Sequence, residues 1–140
     1  MAPRDTRTGG VLENMVLPSL IRGGYEYSMQ VNVGQRLGGG RHMADVVARK
    51  GDEEIIVSLK WQQTSGTAEQ KVPFEVVCLM AAIEDEVNKA EKAYLVLGGS
   101  GWKLRDFYTG GGLQKYIAYK DTVRIVTLEE FVAIANNSSL

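Results

Sequence analysis

The stretch that most constrains the fold covers residues 43–62, where two short apolar runs flank the charged sequence KGDE at 50–53. Apolar runs of this length around a glycine-containing turn are typical of a β-hairpin. Asp45 stands at the head of the first predicted strand. The second predicted strand carries polar side chains at alternating positions, Ser58, Lys60 and Gln62. Because alternate residues of a strand share a face, we expect these three side chains to point the same way.

Apolar spacing predicts helices and strands on both sides of this hairpin. The predicted order is a helix over 10–21, strands over 25–33, 44–49 and 54–61, a helix from Thr67, a strand over 92–97, a short helical turn over 102–108, a strand over 123–126 and a helix over 128–135. Pro18 is expected to bend or end the first helix, and Gly23 and Gly24 to stop it. The order predicts an α/β sandwich with a mixed sheet, in which the first three strands form an antiparallel meander flanked by helices.

Two helix starts carry the pattern of a capping box, in which a Thr is followed three residues later by Glu or Gln. One is Thr67 with Gln70, and the other is Thr127 with Glu130. The helix after Thr67 has one apolar stripe, formed by Val72, Val76, Leu79, Ile83 and Val87. A helix with such a stripe is expected to pack against the sheet, with a kink at Pro73.

Composition limits the classes of protein that this chain can belong to. Its 140 residues, 44% of them hydrophobic, suit one domain over 1–140, with flexible ends at 1–9 and 136–140. The net charge of −1 disfavours a bulk polycation but leaves room for a local basic surface. The single cysteine, Cys78, excludes a disulfide framework and favours a reducing cytoplasm. No apolar run approaches the roughly 20 residues of a membrane span, and the N-terminus lacks the apolar segment of a signal peptide.

The loop over residues 34–42 is the most basic local segment and contains three successive glycines. Its cationic side chains, Arg36, Arg41 and His42, either contact phosphate or are solvated residues of a flexible connection. The glycines do not form a phosphate-binding loop motif, because no Lys-Ser/Thr pair and no helix follows them. His42 is the only histidine, which argues against a zinc site and against a Ser-His-Asp arrangement.

The predicted hairpin places a carboxylate and an ammonium group on adjacent strands. Asp45 can supply a hard oxygen ligand to Mg²⁺, together with the main-chain carbonyl of Leu59 and water molecules. Lys60 can orient or help to deprotonate an attacking water and neutralise a phosphate. The alternative is structural, with Asp45 paired to Arg49 or Lys60 and with Lys60 solvated at a strand end.

At these residues the chain resembles the PD-(D/E)XK nuclease superfamily, which includes restriction enzymes, homing endonucleases and Holliday-junction resolvases. The Asp of the family motif corresponds to Asp45 in HMADVVAR, and its last part to Ser58-Leu59-Lys60 in IIVSLKWQ. The segment WQQTSGTAEQKVPFEV looks like the passage from strand to helix in nucleases of this type. The resemblance covers residues 10–100 and implies a restriction-endonuclease-like core. It also implies Mg²⁺ or Mn²⁺ as cofactor and a Glu of the first helix, Glu13, as a further catalytic or metal-binding group.

The chain departs from the family pattern at Ser58, where most members have Glu or Asp. The hydroxyl of Ser58 is a weak metal ligand or acts through water, so Glu13 or Glu75 is expected to supply the missing charge. Glu75 lies on the helix that follows the lysine strand and can face the site. Gln62, two residues after Lys60, is expected on the same face and can reach the scissile phosphate or the attacking water.

Three hypotheses follow from the sequence. The first is a Mg²⁺-dependent DNA endonuclease of homing or restriction type, with a junction resolvase as a close variant. The second is a DNA-binding or assembly module that has lost its chemistry, for which Ser58 is the main argument, and the third is an interaction domain without a nucleic-acid role.

A nuclease that cuts duplex DNA needs two sites, which predicts a homodimer or a higher even assembly. The expected cellular location is the cytoplasm, which is that of a host cell if a phage or an intron encodes the protein. The candidate DNA contacts are Arg36, Arg41, His42, Lys71 and Lys103.

Overall fold

A five-stranded mixed sheet forms the centre of the chain in a computed structural model that describes residues 10–140. In chain order its strands are β1 (Glu26–Gln35), β2 (Arg41–Lys50), β3 (Glu53–Trp61), β4 (Lys92–Gly98) and β5 (Val123–Thr127). The first three strands are antiparallel neighbours, whereas β3, β4 and β5 run parallel. The predicted α/β class, with a mixed sheet and an antiparallel meander, is confirmed.

Four helices and one 3₁₀ turn accompany the sheet. Helix α1 is continuous through a π-helical part, Leu12–Val16, and an α-helical part, Leu17–Arg22; the others are α2 (Ala68–Glu84), α3 (Arg105–Thr109) and α4 (Leu128–Asn136), with a 3₁₀ turn over Gly112–Lys115. Helices α1 and α4 bury residues such as Leu20 and Phe131 in one core cluster. Helix α2 buries Val72, Val76 and Leu79 in the other cluster, on the opposite face of the sheet. The sheet is therefore covered on both faces, as in other sandwiches of this class.

Pro18 changes the first helix without ending it. The proline has no N–H, so the turn before it is π-helical and the N–H of Leu17 donates to the carbonyl of Leu12. The helix ends at Gly23, and Gly24 follows with φ +83°, as the two glycines predicted.

Strand β1 changes face in its middle, although apolar and polar residues alternate regularly from Tyr25 to Val33, a pattern that indicates one buried face. Tyr25 and Tyr27 pack in the cluster of α1 and α4, whereas Val31 and Val33 pack in the cluster of α2. The change occurs at Gln30, which has φ +51°. A left-handed residue interrupts the pleat, so side chains on either side of it no longer alternate regularly.

The two predicted capping boxes have different outcomes. Helix α4 has the complete box, in which the Thr127 hydroxyl accepts from the Glu130 N–H. Thr67 directly precedes α2 but makes no side-chain cap hydrogen bond, so that prediction was wrong. The Oε1 atom of Gln62 accepts the N–H of Ala68 at 3.0 Å instead. A residue six positions before Ala68, outside the Thr-x-x-Gln pattern, thus supplies the acceptor that the motif indicated.

Pro73 lies inside α2 and releases one carbonyl for a tertiary contact. Because proline has no N–H, the helix makes no hydrogen bond from residue 73 to the carbonyl of Glu69. The hydroxyl of Tyr108 donates to that carbonyl at 2.7 Å. The Glu69 carboxylate accepts the backbone N–H of Leu104 at 2.8 Å and also that of Lys103. These contacts attach the segment after β4 to the start of α2.

Leu79 provides a direct measure of how strongly α2 packs on the sheet. Its side chain is fully buried, so Leu79→Ala removes apolar contacts and leaves a cavity. We expect a loss of about 3 kcal/mol in the free energy of unfolding, measured by urea titration. Gln70→Ala, at an exposed position of the same helix, is the control and should change it little. Equal effects of the two variants would contradict this packing.

Some predicted boundaries differ from the structure. Val87 lies beyond the end of α2 and is 88% exposed, so it does not extend the apolar stripe. The tail expected to be flexible at 136–140 packs onto the domain: Leu140 is buried and its N–H donates to the Tyr25 hydroxyl. The expected flexible segment 1–9 lies outside the described residues. Across residues 10–140, every helix is too short or too polar to cross a bilayer.

Candidate active site

The candidate site begins where strands β2 and β3 separate. Their paired residues run from Lys50 and Glu53 to Val46 and Val57, and the pairing stops there. Asp45 is the next residue of β2, and its Oδ2 atom accepts the N–H of Leu59 at 2.7 Å. The carboxylate therefore takes the place of a main-chain acceptor at the opening between the strands. The N–H and C=O of one strand residue point the same way, so the carbonyl of Leu59 also faces the Asp45 side.

Glu75 is the centre of the polar cluster. Its side chain projects from α2, is 3% exposed and receives four polar contacts. Three are hydrogen bonds, from Arg36 to Oε2 at 2.7 Å, from Ser58 to Oε1 at 3.1 Å and between His42 and Oε1 at 3.2 Å, and the fourth is an ion pair of Lys60 with Oε2 at 3.8 Å. These groups come from the loop after β1, from β2 and from β3. One buried carboxylate thus connects all the segments that surround the site.

The environments of Asp45 and Glu75 shift their pKa values in opposite directions. Burial raises the pKa of Asp45, and the Leu59 N–H and the charge of Lys60 offset this only in part. Burial also acts to raise the pKa of Glu75, but the His42 hydrogen bond and the charges of Lys60 and Arg36 lower it to about 2. Glu75 is therefore a well-compensated anion, whereas Asp45 has too little positive charge nearby. An additional cation beside Asp45 would relieve that imbalance.

Oxygen atoms suited to a hard divalent cation are present at this opening. The carboxylate of Asp45 and the carbonyl of Leu59 lie on the same side of β3. Lys60 is 25% exposed along its side chain, so the site is open to solvent. Residues 10–140 contain no group of three His, Cys, Asp or Glu side chains placed to hold a metal. The Asp45 carboxylate and the Leu59 carbonyl are oxygen donors of the kind that a hard divalent cation takes together with water molecules.

Two of the expected catalytic residues lie elsewhere or have another partner. Gln62 is buried, its Nε2 donates to the Gly101 carbonyl at 2.9 Å, and its Oε1 caps α2. Because main-chain groups occupy both ends of its amide, Gln62 does not face a scissile phosphate as expected. Glu13 is exposed on α1, which packs on the face opposite α2. Within the described residues, no hydrogen bond or ion pair joins Glu13 to this cluster.

The expected DNA contacts divide into buried and exposed groups. His42 is 1% exposed and cannot reach a phosphate on the surface, which differs from the expectation. Arg36 is partly exposed while its guanidinium contacts Glu75. The other three, Arg41, Lys71 and Lys103, are exposed.

Sequence reasoning missed how His42 and Glu75 meet, although both left a signal. His42 is two residues before Ala44, so period-two alternation places it on a buried face of the strand. Glu75 lies between Val72 and Leu79, three residues after one and four before the other, inside the apolar stripe of α2. A carboxylate in that stripe requires buried donors, and His42 supplies one of them.

Comparisons with known proteins give one family match and one similar solved structure. The model of the PD-(D/E)XK nuclease superfamily domain matches residues 4–139. Among solved structures, the chain is similar to the crystal structure of a protein of unknown function, AF1548, with 16% sequence identity and a TM-score of 0.49. That alignment covers 80% of this chain and 54% of the other, so the chain spans about half the length of that protein. No curated protein gives a significant match.

The superfamily match extends over nearly all of the chain and includes the strands that carry Asp45 and Lys60. It also includes α2, which carries Glu75. This chain belongs to the PD-(D/E)XK nuclease superfamily.

Proposed function

We propose that the chain is a divalent-metal-dependent DNA endonuclease of homing or restriction type. The observation that carries this proposal is the convergence of Asp45, Lys60 and Glu75 at the opening between β2 and β3. Asp45 there has too little compensating positive charge, and it lies beside the partly exposed side chain of Lys60. This is a suitable environment for a metal ion bound together with a phosphate.

Each side chain has a proposed task in phosphodiester hydrolysis. Asp45 and the Leu59 carbonyl would hold the cation, with Glu75 as the second carboxylate near it. A bound Mg²⁺ or Mn²⁺ supplies Lewis acidity and stabilises negative charge on the phosphate. Lys60 lies 3.8 Å from Oε2 of Glu75 as an ion pair, and it would orient an attacking water and neutralise a phosphate oxygen.

The serine at the position of the usual acidic residue does not by itself argue for an inactive module. The Ser58 hydroxyl donates to Glu75 at 3.1 Å, so the carboxylate that strand β3 lacks lies next to Ser58 and comes from α2. The charge is thus supplied from another element within the same site. This contact favours an active nuclease over a DNA-binding module without chemistry.

DNA would approach across the exposed side of the site, where Arg36, Arg41, Lys71 and Lys103 are the proposed phosphate contacts. We propose one catalytic domain per chain and a location in the cytoplasm. Cleavage of both strands of a duplex needs two sites, so we also propose a homodimer or a higher even assembly. Branched DNA is the alternative substrate. Faster cleavage of a four-way junction than of linear duplexes with the sequences of its arms would identify a resolvase.

The test is plasmid cleavage with Mg²⁺, Mn²⁺ or Ca²⁺ by the wild type and by Lys60→Met. We expect nicked and linear products with Mg²⁺ or Mn²⁺, and a rate lower by about 10²-fold for Lys60→Met because a positioned acid–base group is lost. Lys89→Met, at an exposed position beyond the end of α2, is the matched control and should cleave normally.

Binding to labelled DNA in Ca²⁺ separates the remaining possibilities. Salt-sensitive binding without cleavage in Mg²⁺ or Mn²⁺ would identify an inactive DNA-binding module. Absence of both binding and cleavage would reject a role on DNA. Equal rates for Lys60→Met and the wild type would remove Lys60 from the mechanism.

A further inference from the structure

His42 is a buried imidazole that the proposed chemistry does not use directly. Its side chain is 1% exposed, and its Nε2 atom lies 3.2 Å from Oε1 of Glu75. A carboxylate oxygen only accepts hydrogen bonds, so the hydrogen at this contact belongs to Nε2. Its other ring nitrogen, Nδ1, is buried and has no hydrogen-bond partner among the described residues. Packing alone does not explain an imidazole here, because an unpartnered buried nitrogen is unfavourable.

The two oxygens of Glu75 have different surroundings. Oε1 receives its contacts from Ser58 and His42, both buried and both in strands of the sheet. Oε2 receives its contacts from Arg36 and Lys60, whose side chains are 31% and 25% exposed. One oxygen is therefore held by buried donors of the sheet, and the other contacts partly exposed cations. The carboxylate is oriented before any ligand arrives.

We propose that His42 is a positioning residue, which together with Ser58 fixes Oε1 of Glu75 and so directs Oε2 toward Lys60 and the metal site. The proposal rests on the nuclease function proposed above. His42 touches neither DNA nor metal and acts only through Glu75. Partners that orient a ligating carboxylate in this way commonly contribute 10–100-fold, as an order of magnitude, to metal affinity or activity.

The test compares His42→Leu, which removes the donor, with His42→Gln, whose amide nitrogen can reach the place of Nε2. Three quantities are measured at one pH: kcat for DNA cleavage, Kd for DNA in Ca²⁺, and Mn²⁺ affinity without DNA by calorimetry. For His42→Leu we expect kcat and Mn²⁺ affinity to fall about 10–100-fold, with Kd for DNA unchanged. His42→Gln should restore most of both quantities, and thermal unfolding checks that each variant is folded.

A double mutant tests whether His42 acts through Glu75. In a Glu75→Gln background, His42→Leu should cause little additional loss, because the group that it orients is already absent. Equal losses for His42→Leu and His42→Gln, or full additivity with Glu75→Gln, would overturn the positioning role. So would a wild-type Mn²⁺ affinity in His42→Leu.

Failure of the nuclease proposal gives a different result. A wild type that binds Mn²⁺ but does not cleave DNA rejects the nuclease function, and Mn²⁺ affinities of the variants then decide the role of His42. A wild type that binds no Mn²⁺ and cleaves no DNA rejects both proposals.

Discussion

Asp45→Asn is expected to abolish cleavage while leaving the fold as stable as before. The variant removes the charged oxygen ligand beside Leu59, and loss of the Lewis-acid contribution should lower kcat on the order of 10³-fold. The asparagine oxygen can still accept the Leu59 N–H that Asp45 accepts at 2.7 Å. Burial raises the pKa of Asp45, so the folded state penalises its ionised form, and a neutral side chain should not lower the melting temperature at neutral pH.

Plasmid cleavage in Mg²⁺ and thermal unfolding at pH 7 measure these two effects on the same preparations. Asp52→Asn, an exposed residue of the hairpin turn at the other end of β2 and β3, is the matched control and should retain activity. Full activity of Asp45→Asn would remove this carboxylate from the site. A large fall in its melting temperature would show that the charge of Asp45 stabilises the fold.

Most of the fold could be predicted because local sequence patterns determine it. Period-two alternation and the turn at 50–53 located β2 and β3, and the Thr127–Glu130 box located the start of α4. The failures concern positions that contacts outside the local sequence motif decide. The cap of α2 comes from Gln62. Strand β1 changes face at Gln30, whose positive φ is not signalled by the residue type, because glycine and asparagine are the residues that usually adopt it. Tertiary contacts decide such positions, and local propensity does not report them.

The candidate site was predictable to a different degree for each residue. A hairpin brings Asp45 near the strand of Lys60 by its own geometry, so motif and topology together sufficed there. Either Glu13 or Glu75 could supply the charge that is missing at Ser58. The choice between them depends on how the helices pack on the sheet, which the spacing along one helix does not determine. The structure places Glu75 beside Lys60, with Glu13 on a helix of the opposite face. Arg36 reaches Glu75 from a loop whose path the sequence did not indicate.

Glu75→Ala is expected to cause a large loss of stability, because three hydrogen bonds and an ion pair with Lys60 converge on this carboxylate. Without it, His42 and Ser58 keep buried polar atoms with no acceptor, and Arg36 and Lys60 lose the anion between them. Removing one partner from a buried charged network costs about 3–5 kcal/mol, so we expect a decrease of that size in the unfolding free energy at pH 7. Urea titration measures it, with Glu84→Ala on the exposed end of the same helix as the control.

The same carboxylate should make the wild type sensitive to acid. The pKa of Glu75 is lowered from 4.5 to about 2 in the folded protein, so its contribution is complete above pH 4.5. Stability is lost as the pH falls from 4.5 toward 2, because the unfolded chain takes up this proton first. A difference of this size in pKa corresponds to about 3 kcal/mol. Unfolding free energies at pH 7 and pH 3 should therefore differ less in Glu75→Gln than in the wild type. An identical pH dependence in both proteins would mean that Glu75 is not held as an anion by Arg36, Lys60 and His42.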